Sequence, residues 1–381
     1  MSAEPETSNI DETPFLDGMR DAKSRYGRFN LAVIGGTGVG KSSLVNAVFG
    51  RDLAKVGKGL PVTRGVHYFS DDSLGIWDVE GFEIGSTVPP AEQLRGHLRE
   101  IAKRPKNEQI SVVWYCVKSN DDRLAPHEIA MINELSRIGL PVVLVLTKVD
   151  WLRNPITGQR GVAKGVEEFV NWLENPVEDG QPISINYERV ILTSTSDKHG
   201  KGKGHGLGEL VAETMSLSPK NEQDAFRIAQ RLNLPWKREL ARPVIAAATA
   251  AAAGAATVPL PIADAVTLAP IQLGMMARIA VIYDIEMKTA LSTSSLANLG
   301  AQLAGRALAS SLIKLIPGAG SVVNAGVAAA LTGATGEGWL RLCEHVHTGK
   351  IRLDQMDEAW NQYVPGFLDV IRKMAEQRVG K

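Results

Sequence analysis

One glycine-rich octapeptide constrains the fold of this chain more than any other feature. In order, it reads Gly35, Gly36, Thr37, Gly38, Val39, Gly40, Lys41 and Ser42, a full match to G-x-x-x-x-G-K-[ST]. An apolar run, 29–34, precedes it, and residues with helical spacing, 41–49, follow it. Glycines let the backbone curl so that successive N–H groups face one anion, and the helix adds the positive end of its dipole. The motif therefore predicts a strand, a phosphate-binding loop and a helix.

The residues that end this motif have individual expected roles. Lys41 is expected to lie on the β- and γ-phosphates of a nucleotide and to act in catalysis. The hydroxyl of Ser42 would ligate Mg²⁺. Ser43, the next residue of the helix, completes the predicted phosphate-binding set.

Four further apolar runs predict buried strands, at 73–77, 110–116, 142–146 and 190–192. Each is followed by loop residues and then by a polar or amphipathic stretch. Alternation of this kind predicts an α/β fold in which a mostly parallel sheet has helices on both faces. Ligands of such sheets bind at the carboxyl ends of the strands, so the loops after the strands hold the candidate site residues.

The loop after residues 73–77 carries a D-x-x-G pattern from Asp78 to Gly81. Asp78 would hold Mg²⁺, usually through water, and the N–H of Gly81 can sense a γ-phosphate. The pattern is too short to be specific by itself, but its position after an apolar run and after the phosphate loop supports this interpretation.

The loop after residues 142–146 reads Thr147-Lys148-Val149-Asp150. The Asp150 carboxylate can accept two hydrogen bonds from guanine, one from N1–H and one from the exocyclic amine. Adenine has an acceptor at N1 and lacks that amine, so a desolvated carboxylate discriminates against it. Lys148 would lie over the base with its aliphatic stem. This motif predicts GTP rather than ATP, and it disfavours the alternative of an ATPase or small-molecule kinase.

A fourth loop, Thr193-Ser194-Thr195, follows the last apolar run. A backbone N–H of Ser194 or Thr195 is expected to meet the guanine O6. The stretch 198–205 alternates Gly with Lys and His and predicts a surface loop beside the guanine site.

The order and spacing of these loops resemble the Era-like branch of the translation-factor-like P-loop GTPases, over about residues 29–217. Thr63, in Pro61-Val62-Thr63-Arg64-Gly65, matches the switch threonine of that branch. The resemblance implies GTP binding, slow Mg²⁺-dependent hydrolysis to GDP, and loops that close on the γ-phosphate. It implies Lys41 and Thr63 as catalytic residues, and Ser42, Thr63 and Asp78 as the metal set. A homodimer of G domains is a further expectation.

Two departures from that branch leave roles open. Thr147 stands where the guanine motif usually has Asn, so the sequence does not say whether this loop is tied to the phosphate loop. Phe82 follows Gly81 where a water-positioning Gln would stand, so the residue that orders the attacking water is not identified. Catalysis would therefore rest on positioning and charge neutralisation, with slow turnover.

Charge is distributed unevenly along the chain. The 42 basic and 42 acidic residues cancel, which disfavours a nucleic-acid partner, yet residues 243–336 contain only seven charged side chains. The shift predicts four parts: a disordered acidic tail at 1–27, a GTPase domain at 28–217, a charged helical linker at 218–242 and a helical domain at 243–381.

Two uncharged stretches of the helical domain, 244–263 and 315–336, are long enough to span a bilayer. Both are rich in small residues, which contribute little transfer free energy and allow close helix packing. Three interpretations stay open: a bundle that contacts a bilayer, an inserted hairpin, or a soluble bundle that binds a partner. Two cysteines and an acidic amino terminus favour a reducing, cytoplasmic location, peripheral to or integral in a membrane.

The helical domain also resembles the family called domain of unknown function 697, which is seen in YcjF-type inner-membrane proteins, over about residues 243–345. The landmarks are Pro259 to Asp264, Gln272 with Met275 and Met276, Ile282-Tyr283, and Lys314 to Gly320. The resemblance implies coupling to a GTPase and association with a membrane or a membrane protein. The leading hypothesis is a nucleotide switch; the alternative is a membrane scaffold or pore-like bundle that uses GTP for assembly.

Overall fold

A computed structural model of the chain describes residues 13–50, 60–63, 65–79, 88–153, 160–196, 204–256, 263–285, 321–356 and 358–360. The chain divides into two units. The first is the continuous stretch Tyr26–Asn233, and the second combines Met1–Arg25 with Leu234–Lys381. The first unit is therefore inserted in sequence between the two segments of the second.

The first unit contains a seven-stranded sheet. Its strands are β1 (Phe29–Ile34), β2 (Leu60–Thr63), β3 (Val66–Ser70), β4 (Leu74–Val79), β5 (Val112–Lys118), β6 (Val142–Thr147) and β11 (Arg189–Leu192). The order is β11-β6-β5-β1-β4-β3-β2, and only the β2–β3 and β3–β4 pairings are antiparallel. Two small hairpins lie outside it: β7 (Trp151–Arg153) with β8 (Arg160–Val162), and β9 (Val177–Glu178) with β10 (Gln181–Pro182). The predicted α/β fold with a mostly parallel sheet is confirmed.

Helices cover both faces of this sheet. Helix numbering begins with α1 (Thr13–Tyr26), and the first unit contains α2 (Lys41–Phe49), α3 (Pro90–Ala102), α4 (Pro126–Arg137), α5 (Lys164–Glu174), α6 (Leu207–Leu217) and α7 (Gln223–Ala229). On one face, Trp77 and Leu144 share a core with Leu94, Ile132 and Phe169 of α3, α4 and α5. Burial on both faces explains why the strands read as continuous apolar runs rather than as alternating ones.

The opposite face is packed with aromatic rings. Phe29 of β1 and Phe49 of α2 both contact Phe226 of α7, with ring centroids 4.8 and 6.2 Å apart. Phe49 also stacks on Trp114 of β5 at 5.7 Å. These contacts pack the carboxyl end of α2 and Phe226 of α7 against the sheet.

The carboxyl ends of four parallel strands, from which the candidate ligand-binding loops start, lie together at one edge of the sheet. Ile34, the last residue of β1, pairs with Val79, the last residue of β4. Lys118 and Thr147, which end β5 and β6, pair with each other. The loops that follow these four strands therefore start side by side, as a parallel sheet requires.

The second unit is helical. With α1 it contains α8 (Leu234–Ala255), α9 (Ala263–Ile282) and α10 (Ser321–His347), and the last three pack against one another. Trp339 of α10 donates its indole N–H to the carbonyl of Met276 at 2.9 Å. Lys237 of α8 is fully buried and donates to the carbonyl of Ile282 at 3.0 Å, at the carboxyl end of α9 where a cation is favoured.

The prediction of a disordered tail is wrong for residues 13–26, which form α1. Phe15, Met19 and Ala22 recur at helical spacing and are buried. A Cβ added to Gly18 would lie only 3.0 Å from the carbonyl oxygen of Gly274, so α1 approaches the backbone of α9 closely. The acidic composition of residues 1–27 led to the prediction of disorder, although the apolar residues of α1 recur at helical spacing.

The predicted start of the helical domain at 243 falls inside α8, which continues through Pro243. The structural division lies at Leu234, within the predicted linker. The last charged residue of α8 is Arg242, but the helix and its buried stripe continue to the end of α8, so the change in charge does not mark the start of a helix. Of the sequence landmarks, Met275 and Met276 are buried on α9, whereas 259–262 and 314–320 lie outside the described residues.

No helix in the described part of the chain combines the length and the hydropathy that crossing a bilayer requires.

Candidate nucleotide-binding site

The phosphate loop connects β1 to α2, as its sequence predicts. Gly35 has a φ of 148°, and a Cβ at this position would collide with the carbonyl oxygen of Cys116 on β5. Gly40, the residue before α2, has a φ of 109°. Both glycines are therefore required by backbone conformation, and the first also by the close approach of β5. The loop is pressed against the sheet edge rather than free in solvent.

The Lys41 side chain lies inside this loop and contacts two of its backbone carbonyls. This side chain is buried, and its ammonium donates to the carbonyls of Gly35 at 2.9 Å and Gly36 at 3.3 Å. Ser42 and Ser43, in the first turn of α2, are exposed together with Gly36, Thr37 and Gly38 of the loop. The arrangement presents a cation, hydroxyls and the positive end of a helix on one surface, which is the chemistry that binds phosphate.

Thr147 settles the question that its sequence left open. Its hydroxyl oxygen lies 2.6 Å from the carbonyl oxygen of Val39 in the phosphate loop and 3.1 Å from that of Val117. A hydroxyl has one proton to donate, and the shorter distance favours Val39. The guanine motif is thus tied to the phosphate loop even though Asn is absent.

Lys148 forms a second tie between the two loops. Its ammonium donates to the carbonyl of Gly38 at 2.6 Å, and its φ is 55°, a left-handed conformation uncommon for a residue with a side chain. Its carbonyl accepts the hydroxyl of Ser119 at 3.3 Å, and the Ser119 N–H donates to Thr147 at 3.0 Å. The side chain therefore extends over the phosphate loop.

Asp150 follows a buried residue and is itself exposed. Val149 is buried and donates its N–H to the carbonyl of Thr193 at 3.0 Å, so the third and fourth loops are directly bonded. The N–H of Ser194 donates to the carbonyl of His205 at 3.0 Å, and its hydroxyl donates to that of Ser196. Because the Ser194 amide is committed to His205, the Thr195 amide is the better-placed candidate for a guanine contact.

The proposed metal residues meet at the same edge of the sheet. Asp78 lies on β4 opposite Val33, one residue before that strand ends. Thr63 ends β2 and pairs with Val66, which in turn pairs with Val79. The backbone thus brings Thr63 and Asp78 to the edge that carries the phosphate loop. The position of the Thr63 side chain and all of Gly81 lie outside what the structure describes.

Comparison with known proteins gives the family. Residues 30–148 match the family described as 50S ribosome-binding GTPase, and residues 221–366 match a domain of unknown function, DUF697. The chain thus has a GTPase domain followed by a C-terminal DUF697 domain.

The relatives of this GTPase are bacterial. It is 27% identical to the "probable GTP-binding protein EngB" of Aquifex aeolicus over 48% of this chain and 88% of the relative. It is 26% identical to GTPase Era of Caldicellulosiruptor saccharolyticus, over 32% and 39%, and 28% identical to GTPase Der of Geotalea daltonii, over 52% and 40%. The matched segments span about two fifths of the length of these Era and Der relatives.

A solved structure titled as a probable GTP-binding protein engB has 19% sequence identity to this GTPase. The match covers 49% of this chain and 97% of that one, with a TM-score of 0.31.

Three residues of the GTPase site were not found from sequence. Ser119 supports Lys148, and its position just after a buried strand was the available signal. His205 belongs to the stretch predicted to be a surface loop, but it pairs with Ser194 through two backbone hydrogen bonds. Trp151 contacts the His205 ring, with centroids 5.5 Å apart. Residues 197–203 of that stretch are not described.

Cys116 lies beneath the phosphate loop and is chemically quiet. Burial raises the pKa of its thiol to about 12, against the opposing positive charge of Lys41. The side chain therefore stays a neutral thiol at physiological pH and serves as packing for β5.

Proposed function

We propose that this GTPase binds GTP and GDP with Mg²⁺, hydrolyses GTP slowly, and passes its nucleotide state to the DUF697 domain. The observation that supports guanine-nucleotide binding most directly is the pair of bonds from Thr147 and Lys148 to the carbonyls of Val39 and Gly38. They make the base-reading loop and the phosphate loop one structure, so a bound nucleotide contacts both at once.

In this proposal each residue has a defined task. Lys41 neutralises the β- and γ-phosphates, and Asp150 accepts the guanine N1–H and exocyclic amine. Ser42, Thr63 and Asp78 supply the hydroxyl and carboxylate oxygens that suit Mg²⁺. Thr63 and Asp78 lie at the edge of the sheet from which the phosphate loop leads to Ser42 in α2. When bound, the ion neutralises charge on the phosphate oxygens. Turnover is slow because Phe82 stands where a water-positioning Gln would follow Gly81.

Coupling to the DUF697 domain is supported by the docking of residues 222–231. The ring of Phe226 contacts Phe49 near the carboxyl end of α2, and the Arg231 N–H donates to the carbonyl of Val48 at 2.9 Å. The amino end of α2 forms the phosphate site, so one nine-residue helix touches both the ligand site and the segment that leads into α8 at Leu234. A shift of α2 on nucleotide exchange would move that segment.

Hydrogen exchange on the full chain tests this coupling. We expect amides of α8 to differ in protection between GDP and a non-hydrolysable GTP analogue. Arg231→Ala, which removes the side chain that packs over Gly50 at the carboxyl end of α2, should reduce that difference while GDP affinity is retained. Arg189→Ala, which removes an exposed pairing with Glu209 and Glu213, is the matched control. Equal protection of α8 in both nucleotide states would contradict the coupling.

The target of the DUF697 domain is proposed to be a membrane surface or a membrane protein at the cytoplasmic face, contacted through residues 243–345. The support is compositional: residues 243–336 carry seven charges and many small side chains. Sedimentation with anionic vesicles, in GDP and in the GTP analogue, tests it. Binding that changes with nucleotide supports the proposal, and no binding to vesicles or membrane extracts in either state contradicts it. Analytical ultracentrifugation in both states tests pairing of G domains.

Calorimetry tests nucleotide choice directly. With Mg²⁺, the purified chain should bind GDP and the GTP analogue and should not bind ADP at millimolar concentration. Asp150→Asn should weaken GDP binding, and Lys41→Ala should abolish it. Asp179→Asn and Lys164→Ala, on exposed residues remote from the loops, are the controls. Failure of the wild-type chain to bind GDP would overturn the proposal.

A further inference from the structure

The two residues that flank Asp150 are each attached to the other guanine loop. On one side, the Val149 N–H donates to the carbonyl of Thr193 at 3.0 Å. On the other side, the Trp151 ring lies 5.5 Å from the His205 ring, with an interplanar angle of 45°. Asp150 is therefore a single exposed residue between two anchored neighbours.

His205 is itself fixed in place. Its N–H donates to the carbonyl of Ser194 at 2.7 Å, and its carbonyl accepts the Ser194 N–H at 3.0 Å. Gly206 has a φ of 70°, and a Cβ there would collide with the carbonyl of Leu192. The chain therefore turns sharply into α6 directly after His205, and the imidazole ring is held at the base of the 194–205 loop.

Trp151 is held mainly by packing. It pairs with Val162 across the β7–β8 hairpin and contacts the core formed with α5. Its indole N–H is buried and makes no hydrogen bond with the described part of the chain. An indole whose N–H is unpaired gains its stability from the faces of its ring, and the His205 ring is one of its aromatic contacts.

We infer that Trp151 and His205 are positioning residues for guanine selection, an inference that rests on the proposed guanine-nucleotide binding. Their ring contact sets the distance between the Asp150 carboxylate and the amide of Thr195. The guanine base can then contact both loops at the same time, and the Asp150 carboxylate makes both of its hydrogen bonds to the base. Neither ring touches the reacting phosphates.

A role in packing alone would give a different result. Loss of packing lowers stability and weakens every nucleotide equally, whereas loss of positioning weakens the second hydrogen bond to Asp150 more than the rest. Inosine diphosphate (IDP) separates these cases, because its base lacks the exocyclic amine but keeps N1–H and O6. The ratio of GDP to IDP affinity therefore reports how well the carboxylate is placed.

The experiment measures GDP and IDP dissociation constants for the full chain with Mg²⁺. A hydrogen bond to a charged group predicts that the wild type prefers GDP by about tenfold or more. His205→Ala should lower this preference by about threefold or more, and His205→Phe, which keeps a ring, should restore it. His345→Ala, in the DUF697 domain, is the control and should leave the ratio unchanged.

A double-variant comparison makes the test specific to Asp150. Asp150→Ala should already bring the ratio close to one, and adding His205→Ala should not lower it further. If His205→Ala does not fold, as judged by circular dichroism, Trp151→Phe takes its place with the same expected fall. If a folded variant still binds GDP and its GDP-to-IDP affinity ratio equals that of the wild type, this inference is overturned while the proposed function stands. Failure of the wild type to bind either nucleotide overturns it together with the proposed function.

Discussion

The hydroxyl of Thr147 and the carbonyl oxygen of Val39 are 2.6 Å apart, although the two residues are 108 positions apart in sequence. This bond joins the end of β6 to the loop between β1 and α2. Both groups are buried, so a lost partner would leave a desolvated carbonyl. A short β-branched side chain thus joins two loops where a longer amide is usual.

Removing that hydroxyl should weaken nucleotide binding. Thr147→Val keeps the shape of the side chain but leaves the Val39 carbonyl without this donor, at a cost of about 1–3 kcal/mol. Part of this cost should appear as a GDP affinity lowered by about tenfold, measured by titration calorimetry. Thr214→Val removes a buried hydroxyl on α6, remote from the loops, and should lower stability with GDP affinity unchanged. Equal effects of the two variants on GDP affinity would argue against the tie.

Two adjacent glycines of the phosphate loop should differ sharply. Gly35→Ala forces a Cβ against the carbonyl of Cys116 and should lower the free energy of unfolding by about 2–4 kcal/mol, with loss of GDP binding. At Gly36 the nearest atom to an added Cβ is a Val39 methyl at 3.6 Å, so Gly36→Ala should fold with near wild-type stability. Urea unfolding and calorimetry on both variants check this; tolerance of Gly35→Ala would contradict the described loop.

The stability of the G domain should depend on pH through Glu134. Hydrogen bonds from Arg137 and Arg95 lower the pKa of this buried carboxyl from 4.5 to about 2. A lowered pKa means that the contribution is complete above about 4.5 and is lost as pH falls toward 2. Glu134→Gln should therefore cost about 1–2 kcal/mol at pH 7 and much less at pH 3, by urea unfolding. Glu100→Gln, at an exposed pair with Lys103, should cost little at either pH.

Helix α1 should contribute to the stability of the DUF697 unit. Gly18→Val places a branched side chain against Gly274 and Ala277 and should destabilise the docking of α1 by about 2 kcal/mol. The expected readout is faster proteolysis near residues 13–26 with GDP affinity retained. On α8, an added Cβ at Gly254 meets nothing within 4 Å, so Gly254→Ala should be neutral or slightly stabilising. Unchanged proteolysis of Gly18→Val would show that α1 tolerates displacement.

The sequence alone was sufficient to predict the parallel strands and the order of the loops that follow them. Buried parallel strands read as apolar runs, and the loops that follow them carried recognisable chemistry in the right order. The role of Thr147 was not readable, because a threonine after a strand has no marked partner until the loop at Val39 is placed beside it. Helix α1 was missed for a similar reason: its apolar stripe is short, and Arg278, which pairs with Asp21, is 257 positions away.

The insertion of the G domain between α1 and α8 also has a consequence for biosynthesis. The surface of α9 that receives Gly18 includes Gly274 and Ala277, so it leaves the ribosome about 250 residues after α1. At translation rates of about 5–20 residues per second, that delay is roughly 12–50 seconds. During this time the G domain can fold while Phe15 and Met19 stay uncovered, so α1 docks long after it has been synthesised.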